Sequence, residues 1–161
     1  VNALLRPIDK LLVAFLTLLM IAIVVDVSWQ VITRFLLDTP SSYTEEVARF
    51  LLIWIGLLGA SYAYRTRAHL GLDIITSQLT GSSKRNTELT AIIISALFAA
   101  SVMIYGGAKL VMLTFELNQV SASLGIPMSY IYLVIPLSGS LICLFALNLC
   151  LQTLGIIEPD E

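Results

Sequence analysis

The residues able to do chemistry in this chain are few. One histidine, His69, and two cysteines, Cys143 and Cys150, stand among 161 residues. A single histidine cannot provide both axial ligands of a haem, and the two cysteines share one apolar run, so no His/Cys zinc cluster assembles. Seven residues apart on one helix, the cysteines lie about 10 Å from each other, too far for a disulfide. They read as small packing residues. No Gly-x-x-x-x-Gly-Lys loop is present to hold nucleotide phosphates. Serines are plentiful, but a serine beside one loop histidine is poor material for a hydrolase. The sharpest single group is Asp26, an acid inside an apolar run, and two readings of it stand. It is the proton carrier of a self-contained four-helix exporter, or it is a carboxylate near a wet helix end that bonds to Trp29, Gln30 or a partner helix. No enzyme, metal or cofactor site is expected.

The elements that position these groups follow from where charge is missing. Charged residues make up 12% of the chain, the net charge is −2 and hydrophobic residues reach 58%, with a mean hydropathy of +0.91. A soluble domain needs roughly twice that charge, and a nucleic-acid binder needs a basic face. Four stretches, 11–33, 50–64, 89–108 and 126–157, hold 90 residues and one charge, Asp26, while the remaining 71 residues hold 19 charges. Hydrocarbon imposes such exclusion, because a centred Asp, Lys or Arg costs roughly 2.5–3.5 kcal/mol. The runs are continuous, not alternating, so helices and not barrel strands are expected. The reading is a single all-α integral membrane domain over 1–161, with four transmembrane helices at about 11–35, 43–64, 89–115 and 126–155. Arg6 and Lys10 ahead of the first run resemble the front of a signal peptide. No small-x-small cleavage site follows, so the first run is read as a retained span.

Four spans place both ends of the chain on one side. That side gathers Arg6, Lys10, Arg65, Arg67, Lys84 and Arg85, against Arg34, Arg49 and Lys109 opposite. The basic excess puts the termini and the central connection in the cytoplasm. In the first connection Ser42 and Glu45 match a capping box, and Glu45, Glu46 and Arg49 are spaced to meet on one helix face. That cluster is either a neutralised helix start or a contact with a partner. The second connection carries Leu72, Ile75 and Leu79 between basic flanks. It reads as a short interfacial amphipathic helix at about 70–80 lying on anionic lipid, with a solvated loop as the alternative. The third connection, 115–125, is polar and external. Pro136 is expected to kink the last span. Small-residue pairs, Gly56 with Ala60 and Gly59 with Ala63, predict close helix approach.

The order Gln30-Val31, Arg34-Phe35, Pro40, Tyr43-Thr44-Glu45-Glu46-Val47-Ala48-Arg49, Trp54, Gly59-Ala60, Arg65, Arg67 and His69-Leu70-Gly71-Leu72-Asp73 resembles the small membrane subunit, DctQ type, of tripartite ATP-independent periplasmic (TRAP) transporters. Tyr43 stands where Trp is commoner in that family, and Asp26 has no fixed counterpart. The resemblance implies a scaffold beside a large multi-span subunit that carries substrate and Na+. It also implies a periplasmic binding protein that captures an organic acid such as a C4-dicarboxylate or sialic acid. Carried over, Tyr43, Glu45, Glu46, Arg49, Trp54, Gly56 and Gly59 would contact the large subunit or the binding protein. Arg65, Arg67, His69, Asp73, Lys84 and Arg85 would sit at the inner interface and the lipid headgroups. Localisation in the bacterial inner membrane follows from the same resemblance. The exporter using Asp26 is the alternative function.

Overall fold

The computed structural model describes residues 2–36, 42–66 and 82–157. The expected interfacial helix at 70–80, and with it Arg67, His69 and Asp73, lies outside the described residues. Helix α1 covers Asn2–Leu36 and α2 covers Ser42–Arg65. The third span is composite: α3 over Ser82–Phe98, a π-helical segment over Ala99–Gly106, and α4 over Gly107–Glu116. The fourth is α5, Met128–Tyr132, followed by α6, Val134–Thr153. Four of these helical units are long and apolar enough to cross a membrane: Leu5–Phe35, Tyr43–Arg65, Ser83–Glu116 and Met128–Thr153.

Two helix starts differ from expectation. The first begins at Asn2, ahead of residue 11, and the third at Ser82, ahead of residue 89. Apolarity reports where hydrocarbon starts, whereas a helix continues into water wherever its residues permit. Arg, Lys and Glu are good helix formers, so Arg6, Lys10, Lys84, Arg85 and Glu88 extend the rods instead of ending them. The fourth span, expected as one helix, is broken at Leu133. Pro136 offers no N–H to the carbonyl four residues back, and regular bonding resumes with Leu137 N–H donating to the Leu133 carbonyl at 3.3 Å.

The spans line up in the order first, second, fourth, third. The main contacts of α1 are with α2, those of α2 with α1 and α6, and those of the third span with the fourth. Along α1, Leu5, Leu12 and Leu19 recur every seven residues and are buried, a coiled-coil seam against α2. Phe15 meets Trp54 edge to face at 6.1 Å in the same seam. Leu58, Val134, Phe145 and Leu149 continue the core between α2 and α6. The third and fourth spans approach almost backbone to backbone at two levels. A Cβ on Gly139 would lie 2.7 Å from Met103 Cβ and 3.2 Å from the Ala99 carbonyl. A Cβ on Gly107 would lie 2.8 Å from Ile135 Cγ2 and 3.1 Å from Pro136 N. The π segment thus runs beside the break and proline of the neighbouring span, bracketed by two glycines.

Candidate functional site

Polar side chains collect at the two ends of the layer. At one end, α2 begins with an acidic first turn, and Glu46 on its second turn reaches the connection between the third and fourth spans. One carboxylate oxygen, Glu46 Oε2, accepts hydrogen bonds from Ser121 Oγ at 3.1 Å, from Ser123 N at 2.9 Å and from Leu124 N at 3.0 Å. The acceptor is charged, so each bond is stronger than a neutral one. The loop is shaped to offer those donors. Ser121 N donates to the Ile126 carbonyl at 2.8 Å and Met128 N to the Gln119 carbonyl at 2.8 Å, closing a narrow hairpin. Ser121 Oγ also accepts from Leu124 N at 3.2 Å. Successive backbone N–H groups then converge on one anion.

Glu45 and Arg49 belong to a different surface. Arg49 Nη2 lies 3.5 Å from Glu45 Oε1, and both side chains are about two-thirds exposed, at 66% and 68%. Such a pair is worth only about 0.3–0.5 kcal/mol. The expected three-way cluster therefore does not form: Glu46 turns to the loop, while Glu45 and Arg49 face away from the chain. Tyr43, Leu52, Gly56 and Ala60 are exposed as well. A Cβ on Gly56 or Gly59 would meet nothing within 4 Å. The small-residue pairs of α2 consequently do not serve helix approach inside this chain. Trp54, by contrast, is held in the α1 seam by Phe15.

At the opposite end Arg65 ties three spans together. Its Nε donates to Asp9 Oδ2 at 3.2 Å, with side-chain exposures of 11% for Arg65 and 24% for Asp9. Its guanidinium also lies 5.9 Å from the Phe145 ring centroid. Removing one member of a buried pair costs about 3–5 kcal/mol. Sequence reasoning missed Asp9 because α1 was started at residue 11. The signal that could have found it is an acid at the inner end of one span facing a lone Arg at the inner end of the next. The 121–124 hairpin was likewise read only as an external loop. Lys84 and Arg85 are exposed on the first turns of α3.

Asp26 falls on the α1 seam, one heptad after Leu19 and one before the buried Thr33. Its Oδ2 is buried and has no hydrogen-bond partner among the described residues. Counting from the Asp9–Arg65 pair, it lies about 25 Å along the helix, a distance close to the roughly 30 Å thickness of a hydrocarbon layer. Deeper in, Ser61 Oγ donates to the Ser138 carbonyl at 3.3 Å, and Asn148 is wholly buried. Cys143 and Cys150 are free thiols, with Cys143 Sγ 3.7 Å from the Ala96 carbonyl. Among the described residues no group of three His, Cys, Asp or Glu side chains is placed to hold a metal ion.

These features define an all-α, multi-pass membrane protein whose polar groups brace its own two ends. Comparison with known proteins gives the family. The DctQ component of tripartite ATP-independent periplasmic transporters matches residues 23–155, and the chain belongs to that family. It is 31% identical over 101 residues to the C4-dicarboxylate TRAP transporter small permease protein DctQ of Rhodobacter capsulatus, covering 63% of this chain and 44% of that one. It is 28% identical over 88 residues to the sialic acid TRAP transporter small permease protein SiaQ of Vibrio cholerae, covering 55% and 51%. A third relative is the isethionate TRAP transporter permease protein DctMQ of Oleidesulfovibrio alaskensis, 29% identical over 135 residues. That match takes in 79% of this chain and 21% of the relative. The chain thus spans about half the length or less of these three curated relatives.

Proposed function

We propose that this chain is the small scaffold subunit of a sodium-coupled, binding-protein-dependent secondary transporter that imports an organic acid. In this reading it lies in the bacterial inner membrane with both ends in the cytoplasm. It braces a large multi-span subunit, which holds the Na+ and the substrate, and offers part of the outer surface on which the periplasmic binding protein docks. The observation that carries the reading is the open row of four spans. The edge helices α1 and α3–α4 each have one main neighbour, so the row leaves broad apolar surface for another membrane body. The isethionate relative supports a covalent version of the same neighbourhood, since a segment like this chain makes up about a fifth of one longer permease. The relatives are named for C4-dicarboxylate, sialic acid and isethionate, all organic acids, and the substrate class is taken from them.

Within this reading Tyr43, Glu45, Arg49 and Gly56 are the outward contacts on α2, while Glu46 and Trp54 shape that surface from within. Lys84, Arg85 and Arg65, with Arg67, His69 and Asp73, mark the cytoplasmic boundary. The test is co-purification in mild detergent of the tagged chain with the large permease subunit expressed beside it. A stable complex is expected, and Arg49→Ala or Glu45→Ala should reduce its yield without unfolding the small subunit. A chain that purifies only by itself from such cells contradicts the reading.

A further inference from the structure

We propose that the outward edge of α4, centred on Lys109, is a docking surface for the large permease subunit, which meets the ammonium with a carboxylate and covers the apolar side chains above it. The inference rests on the reading of this chain as a partner of such a subunit, and it names the face used. Three observations carry it. The first is direction. Gly107 and Thr114 are the buried residues of α4, Gly107 against Ile135 and Pro136. At about 100° per residue Lys109 points some 200° from Gly107, straight away from the fourth span. Met112 and Leu113 flank that direction and are 66% and 52% exposed.

The second observation is charge. Lys109 Nζ lies 4.6 Å from the Tyr105 ring centroid, one turn deeper into the third span. The aliphatic stem therefore runs toward the middle of the helix instead of out to water, following the backward tilt of helical side chains. The ion pairs among the described residues are Glu45–Arg49 and Asp9–Arg65, so Lys109 has no acid at ion-pair distance there. Glu116 shares its side of α4 but stands two turns on, about 10 Å away.

The third observation is depth, and it separates protein from lipid. Hydrocarbon takes about 20 helical residues. Laid out from Glu88, it ends at Ala108, with Lys109 at the headgroups. Phe115 and Leu117, 69% and 59% exposed, then stand about 9–12 Å higher, beyond a headgroup layer of roughly 5–7 Å. Laid out instead from the level of the Asp9–Arg65 pair, which Phe145 and the Cys143–Ala96 contact place near Ile94, hydrocarbon ends near residue 114. Lys109 then lies within it as a cation that meets the Tyr105 ring but no acid among the described residues. Lipid leaves Phe115 and Leu117 in water in the first placement and a charge in oil in the second. A protein surface with an acid at that height satisfies both groups. The outward side chains of α1, such as Leu11, Leu18 and Val25, fall inside the apolar run, where lipid suffices.

The test places a photoreactive benzoylphenylalanine at Met112 or, as a control on α1, at Leu18. Each chain is expressed with the large permease and irradiated in native membranes. Adducts to the large permease are expected from position 112 and not from 18. In parallel, Lys109→Glu should lower recovered large permease by about tenfold or more, whereas Lys109→Arg, which keeps the charge, retains it. Gel filtration of each variant checks that the small subunit itself remains folded. Adducts to phospholipid alone at 112, adducts to the large permease from 18 alone, or unchanged recovery with Lys109→Glu would overturn the inference. A large permease that co-purifies while position 112 stays silent rejects this face and leaves the subunit reading standing. Failure of the unmodified pair to associate rejects both.

Discussion

Two adjacent glutamates open α2, and the structure gives them opposite duties. Glu46 accepts three hydrogen bonds from the 121–124 hairpin, so Glu46→Ala is expected to destabilise the chain more than Glu45→Ala does. Thermal unfolding in detergent reads that loss, and faster amide exchange at Ser123 and Leu124 locates it. Glu45→Ala should change stability by less than about 0.5 kcal/mol, because among the described residues it is tied by an exposed pair with Arg49. A fall in complex yield with Glu45→Ala at unchanged stability marks a contact made outside the chain. Asp26→Asn is expected to leave uptake by the assembled transporter intact, since the carboxylate sits near one end of the α1 seam, about 25 Å along the helix from the Asp9–Arg65 pair. Proton-coupled efflux that disappears in that variant would favour the exporter reading. The Glu45–Arg49 spacing was legible in the sequence because side chains three and four apart on a helix meet by geometry. Glu46 was not, because its partners include backbone N–H groups about 77 residues later, and backbone donors have no sequence signature. Asp9 was hidden for a simpler reason: the apolar pattern starts after it.

At the scale of elements, the four spans were readable because hydrocarbon rejects charge, and their number and order of polarity survive in the structure. Helix ends outside the membrane were not readable, since nothing in water forces a helix of Lys, Arg and Glu to stop. Nor was the π segment, which answers to a neighbour and not to its own composition. Gly139 lets the Ala99 and Met103 backbone approach so closely that no Cβ fits. Gly139→Val is therefore expected to push the third and fourth spans apart at a cost of about 1–3 kcal/mol. The accompanying drop in melting temperature should exceed that of Gly56→Val, where a Cβ meets nothing. Equal stability of the two variants would mean that the close approach is not needed. The small-residue pairs were legible as residues but not as contacts: Gly56 and Ala60 on α2 are exposed, whereas the glycines that pack, Gly107 and Gly139, belong to no pair recognised beforehand.

The whole molecule is a row of helices fastened at both ends, by Asp9–Arg65–Phe145 at one and by Glu46 with its hairpin at the other. Between these fastenings many large apolar side chains face outward, among them Leu18, Val25, Leu52, Leu97 and Met112. Family membership was readable from residues 30–73, where charged and aromatic positions cluster at span ends. In the proposed assembly the other side of the contact belongs to a second polypeptide, and the mark it would leave here is a cation such as Lys109 with no acid at ion-pair distance among the described residues. The central claim is that this row supports transport by another subunit without moving solute itself. Its most direct test is uptake into proteoliposomes of the organic acid captured by the cognate binding protein, under a sodium gradient. The small chain alone should take up none, and adding it to the large permease and binding protein should restore uptake that those two lack without it. Solute accumulation by the small chain alone, or full uptake in its absence, would contradict the account.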